Sequence, residues 1–156
     1  MIASDERVFD ALLEAGIPPD VIHLRDSSYT FLSPAGVRDL ARRFLDFLRH
    51  CGIEHWVEDT NDCDDFALHA HSFAKLDHAR YYAGEDGLAF GEASVMCGAS
   101  AHALNIVLHV EDGGQLTVHL CEPQVQPNDR PELGRLDITL RSVPLSAVSL
   151  WRRVSL

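Results

Sequence analysis

The sequence predicts an α+β fold with N-terminal helices packed on a C-terminal antiparallel sheet. Three observations carry this. Apolar residues recur at helical spacing only before Gly84, segments after it are β-branched and alternate, and turn clusters separate those segments. Helices first and strands afterwards is the α+β order, distinct from the regular alternation of a parallel sheet.

Residues 5 to 15 read as a first amphipathic helix, with Val8, Leu12 and Leu13 at helical spacing before Gly16 and the Pro18-Pro19 break. The second helix has Ser33 as N-cap, Pro34 at its first position and Gly52 after its end. Val37, Leu40, Ala41, Phe44, Leu45 and Leu48 form its apolar stripe. A third helix opens near Cys63, where Cys63, Phe66, Ala67, Ala70, Phe73 and Ala74 share one face. Asp64 and Asp65 then occupy its first turn, favourably placed for the helix dipole. Strands are expected near 88 to 97, 103 to 110, 116 to 122 and 136 to 143, with a last one over 148 to 154. Asp112-Gly113-Gly114 and Gln126-Pro127-Asn128-Asp129 supply turns.

At 156 residues and 46% hydrophobic content, the whole chain, 1 to 156, is read as a single domain with enough apolar material for one core. The net charge of -11 argues against a nucleic-acid partner, which would favour a basic face. No apolar run reaches the roughly 18 residues of a membrane span, and the acidic start Met-Ile-Ala-Ser-Asp-Glu lacks a secretory layout. The expectation is a cytoplasmic protein with no membrane partner. Its cysteines, Cys51, Cys63, Cys97 and Cys121, are then thiols. Oligomeric state is not legible.

The chemistry is read from the hairpin around Gly113-Gly114. His102, Leu104, Ile106, Leu108 and Val110 alternate on one strand, and Leu116, Val118, Leu120 and Glu122 on the next. If the apolar lists share a face, 110 pairs with 116 and 104 with 122. His102 and Glu122 are then diagonal neighbours, about 7 to 8 Å apart at the backbone. That face is expected to pack on the Cys63 stripe. A thiol beside an imidazole and a helix N-terminus gains thiolate character, and a carboxylate fixes the imidazole tautomer. The expected roles are Cys63 as nucleophile, His102 as base and Glu122 as orienter. Asn61 and Gln124 are oxyanion candidates, and Trp56 is a candidate to line a substrate groove. Cys121 falls on the opposite strand face, and Cys51 and Cys97 are structural. A solvated helix face accounts for His69, His71 and His78 better than a zinc cluster, since 69 and 71 diverge on a helix.

Asp59, Asp62, Asp64 and Asp65 crowd Cys63 and oppose a thiolate. Either they face solvent or a cation neutralises them, and clustered oxygen ligands suit Ca²⁺. The expected ligands are Asp64, Asp65 and Glu122.

Asp-Cys-Asp-Asp-Phe-Ala (62 to 67), Ser-Ala-His-Ala-Leu-Asn-Ile-Val (100 to 107) and Cys-Glu-Pro-Gln (121 to 124) resemble a known family. It is the papain-like cysteine protease domain of the fungal (Marasmius-type) agglutinin and related bacterial and phage proteins. The resemblance covers roughly residues 55 to 125. It implies a papain-like fold, a triad mapping to Cys63, His102 and Glu122, and calcium-dependent activity with Asp64 and Asp65 as ligands. The sugar-binding module that precedes the protease in the agglutinin has no counterpart here. The aspartate-cysteine start also resembles bacterial cell-wall amidases, whose usual Asp-Cys-Ser-Gly and second histidine fit less well.

The expected function is therefore a cysteine peptidase or amidase, a thiol hydrolase of phage or bacterial kind, acting on a peptide or amide substrate through a thioester. Its rivals are a transglutaminase-like acyl transferase and a catalytically idle calcium- or peptide-binding accessory module.

Overall fold

A computed structural model describes residues 1–53, 62–82, 84–111, 113–124, 126–127, 136–138 and 140–156. The chain opens with β1 (Ile2–Ser4) and α1 (Asp5–Glu14). Ser4 Oγ accepts from the Arg7 amide at 3.4 Å, satisfying one of the free donors at the helix start. Val8, Ala11 and Leu12 are the buried side of α1, while Leu13 is exposed. Two short strands follow, β2 (Ile22–His23) and β3 (Ser28–Thr30).

Helix α2 spans Pro34–His50 and starts as its sequence predicts. Ser33 Oγ accepts from the Gly36 amide at 3.0 Å, and Pro34 takes the first helical position. Helix α3 spans Cys63–Tyr81 and buries Phe66, Ala67, Ala70, His71 and Ala74. The small residues let it lie close to the sheet.

The strands after it are β4 (Gly87–Leu88), β5 (Phe90–Cys97), β6 (Ser100–Val110) and β7 (Leu116–Glu122). The last are β8 (Gln126–Pro127), β9 (Leu136–Ile138), β10 (Arg141–Val143) and β11 (Leu150–Ser155). The principal sheet runs β10-β7-β6-β5-β11-β2. Its pairings are antiparallel except β11 with β2, so the sheet is mixed. A smaller sheet runs β1-β3-β4, and β8 pairs with β9. The α+β class, with helices packed on a sheet, stands.

Two expectations need correction. The single strand over 136 to 143 is two, because Leu140 adopts φ 56, a left-handed conformation that breaks an extended run. The other concerns which helix covers which face. Leu104, Ile106, Leu108, Leu116, Val118 and Leu120 pack with Val8, Ala11 and Leu12, so their face meets α1. Helices α2 and α3 cover the opposite face through Phe44, Phe66 and Ala70 against Phe90, Val107 and Cys121. Strand β6 is buried on both sides, with every residue from Leu104 to His109 inside.

Asn105 is a polar residue of that sandwiched strand and is fully buried. Its Nδ2 donates to Ala67 O of α3 at 3.0 Å and to Gly91 O of β5 at 2.9 Å. One amide thereby ties the helix to the sheet. On the far side of β5, Gly91 meets β11 so closely that an added Cβ would collide with the Ser155 carbonyl. Gly91→Ala should therefore lower stability by about 2 kcal/mol or more through forced backbone separation. Urea unfolding checks this, and a midpoint within error of the parent would sink the close-approach argument.

Candidate functional site

Cys63 is the first residue of α3 and is half-buried. Asp62 caps the helix, and Asp65 Oδ2 accepts from the Asp62 amide at 3.4 Å. The backbone N–H groups of Ala103 and of Cys63 itself lie close enough to the thiol to favour its ionised form. Ala103 follows His102 on β6, so the thiol is docked beside the histidine's own stretch of strand. Among the described residues no hydrogen bond joins Cys63 directly to His102. Burial pushes the Cys63 thiol up, the two amides pull it down, and the Asp62 and Asp64 carboxylates push it up further. As the site stands, Cys63 is a thiol at neutral pH.

The hairpin register is the one the alternation implies. Val110 pairs with Leu116 and Asn105 with Cys121. His102 and Glu122 meet diagonally, Nε2 to Oε2 at 2.7 Å. Glu122 is 8% exposed, and its Oε1 accepts from the Gln124 amide at 3.1 Å. Both carboxylate oxygens are thus occupied, which orients the group toward the imidazole. The hydrogen bond from Glu122 raises the His102 pKa, with burial acting against it. Among the described residues no hydrogen bond reaches the ring's other nitrogen, Nδ1.

Gln124 contributes its backbone amide to Glu122, and its side chain is half-buried. Asn61, Trp56 and Asp59 lie outside the described residues. Cys121 points into the core between α3 and the sheet, and burial pushes it to about 12. It is no rival to Cys63. Cys51 is exposed and Cys97 half-buried.

The oxygen-rich group also differs from expectation. Glu122 is committed to His102 and Gln124, and Asp65 turns back to the cap. The donor atoms that converge belong to Asp62, Cys63 and Asp64, all within 4.8 Å of one another. Asp62 Oδ1 is buried without a hydrogen-bond partner. The neighbouring Asp62 side chain raises the Asp64 pKa, as a second carboxylate close by does.

Sequence reasoning missed a second histidine–carboxylate pair. His71, expected on a solvated face, is buried, and its Nδ1 meets Glu92 Oε1 at 2.6 Å. That bond holds the Glu92 carboxyl below its usual range. The signal was present at its neighbour Ala70, which belongs to the apolar stripe, but a single adjacent position was too little to show that the face is wide.

A group with a raised folded pKa stabilises the fold below its unfolded pKa and loses that contribution as pH rises through the folded value. The His102–Glu122 pair should therefore add stability below pH of about 6.5 that fades above it. An NMR titration should place the His102 imidazole above an ordinary histidine, and Glu122→Gln should bring it down. A His102 that titrates at or below the ordinary value would contradict the geometry.

No protein-family model and no curated protein matches the chain. Solved structures do. The PSL1a-E64 complex is 25% identical, with TM-score 0.58, over 79% of this chain and 44% of that one. A lectin of Polyporus squamosus, bound to the human-type influenza-binding epitope Neu5Aca2-6Galb1-4GlcNAc, is 20% identical, with TM-score 0.67, over 99% of this chain and 49% of that one. This chain spans a little under half the length of either. These likenesses correct the functional expectation. One neighbour is named as a lectin and the ligand named with it is a glycan, not a peptide or amide substrate, so neither the hydrolase reading nor its peptide substrate is supported. The hydrolase, protease and phage or bacterial readings, and the acyl-transferase and peptide-module rivals, are withdrawn. What stands is a structural likeness to a fungal agglutinin-type lectin.

Proposed function

We propose that this chain is a thiol-bearing binding domain of a fungal agglutinin-type protein, related in framework to the papain-like domain of agglutinins. Its ligand site is Cys63 with His102 and Glu122. The observation that carries the reading is the 2.7 Å bond that holds His102 to Glu122 on the strand against which the start of α3, and with it Cys63, is packed. Toward an epoxide such as E64 the Cys63 sulfur would form a bond to a ring carbon as the ring C–O bond breaks, with His102, oriented by Glu122, passing the thiol proton to the freed oxygen. The 25% identical neighbour is a complex with E64, which makes E64 the natural probe. The proposal is for ligand binding, and hydrolysis is no part of it.

The acidic group at the start of α3 suits a divalent cation. Asp62 Oδ1 has no partner and the Asp64 carboxylate is adjacent, so Asp62 and Asp64 would supply hard oxygen ligands. Calcium prefers these to the soft thiol. When bound, it neutralises the carboxylates that hold the Cys63 thiol up.

Iodoacetamide alkylation, read by mass spectrometry at each cysteine across pH, tests both parts. Because the Cys63 pKa is raised, its thiolate is scarce at pH of about 7, and it should react more slowly than the exposed Cys51. Added calcium should speed Cys63 severalfold, and Asp64→Asn should remove that dependence. E64 should protect Cys63 and leave Cys51 untouched, with protection weakened in His102→Ala. If E64 leaves the Cys63 rate unchanged with and without calcium, the binding site is wrong. If calcium changes nothing, the cation is wrong.

A further inference from the structure

At the opposite end of α3 from Cys63, α2, α3 and the small sheet enclose a cleft of about 370 Å³. Its floor is apolar, made by Leu32, Leu40, Ala74 and Leu88. Its rim is polar and aromatic. Arg43 of α2 grips Asp77 of α3 in a two-pronged pair, Nε to Oδ1 at 3.0 Å and Nη2 to Oδ2 at 2.6 Å. The Asp77 side chain is 15% exposed and that of Arg43 44%, so the pair presents its remaining donors and lone pairs to the opening. A wall opposite is already built. The His78 ring stacks on Tyr82 at 4.7 Å, and the Tyr82 hydroxyl donates to Asp86 Oδ2 at 3.0 Å. His78 Nε2 lies 3.3 Å from both Thr30 Oγ1 and Asp86 O. Beside it Tyr81 is 70% exposed, with the Arg80 guanidinium 5.4 Å from its ring centroid. A large ring left in water at the mouth of a half-apolar cleft is the feature a ligand would cover.

We infer that this cleft is a saccharide site for a neutral pyranose. A pyranose has an apolar C–H face and a rim of hydroxyls, which matches an aromatic ring and apolar floor edged by donors and acceptors. An aliphatic ligand would strip water from Arg43, Asp77 and His78 with nothing in return. A phosphate or carboxylate ligand would meet Asp77, with the Arg43 charge already cancelled by it. The ring lies on Tyr81, and its hydroxyls bond to the outward edges of Arg43 and Asp77. This inference does not rest on the Cys63 site.

The test is saturation-transfer NMR on the full chain with lactose and N-acetyllactosamine, and with N-acetylneuraminic acid as the anionic comparison. Transfer to pyranose C–H protons of the neutral sugars is expected, at millimolar affinity. Tyr81→Ala should weaken binding about tenfold, the loss of one stacking face. Tyr81 is exposed, so its melting temperature should not move, and Arg43→Gln is the second variant, expected to weaken binding with α3 intact by circular dichroism. Cys63→Ala should leave sugar binding unchanged, which separates this site from the thiol site. Absence of transfer from every neutral sugar overturns the inference. So does binding that survives Tyr81→Ala, or a preference for the anionic sugar.

Discussion

The arrangement of the molecule depends on a strand that has no free face. Strand β6 is covered by α1 on one side and by α3 on the other, and Asn105 sits at its centre with no access to water. Burying an amide costs stability unless its hydrogen bonds are made. The Asn105 Nδ2 makes its two, to the Ala67 carbonyl in α3 and the Gly91 carbonyl in β5, while Oδ1 has no partner among the described residues. Ala67 is one turn from Cys63. The bond that satisfies the amide therefore also fixes how far along the strand the start of α3 lies, and with it the position of the thiol beside Ala103.

Local elements were largely legible. Ser33 with Pro34 marks the start of α2 because a side-chain oxygen must satisfy a free amide and proline needs no donor there. The hairpin register followed from alternation alone, since a slip by one residue would expose Leu104, Ile106 and Leu108. From that register the meeting of His102 with Glu122 followed. What alternation could not tell was which helix lay on which face, because the odd residues Ala103, Asn105, Val107 and His109 are buried too. A strand read as half-buried was in fact enclosed. The short strands β1, β2 and β3 carry too few residues to establish a period. Leu140 gives no sequence signal at all, since leucine is an uncommon choice for a left-handed position.

The site has the same mixture. His102 and Glu122 meet through the hairpin register, and a helix start places Cys63 where α3 packs on the same strand, a packing that only the structure supplies. The ionisation of Cys63 was less accessible, since burial and two carboxylates act against two amides. The acidic group differs from the expected Asp64, Asp65 and Glu122 for local reasons: Asp65 is spent on the helix cap and Glu122 on His102, leaving Asp62 and Asp64 side by side. The functional reading was moved by likeness to lectins, a relation that residue chemistry at one site does not encode.

Helix α3 has 19 residues, with Cys63 at its first position and Tyr81 at its last. At about 1.5 Å of rise per residue its ends stand about 27 Å apart, and a straight helix keeps that spacing fixed. The helix is thus a ruler between the thiol and the aromatic cleft. A bivalent reagent with one arm for each end gains effective concentration only if its tether spans that length, and a shorter one bridges two molecules instead of one.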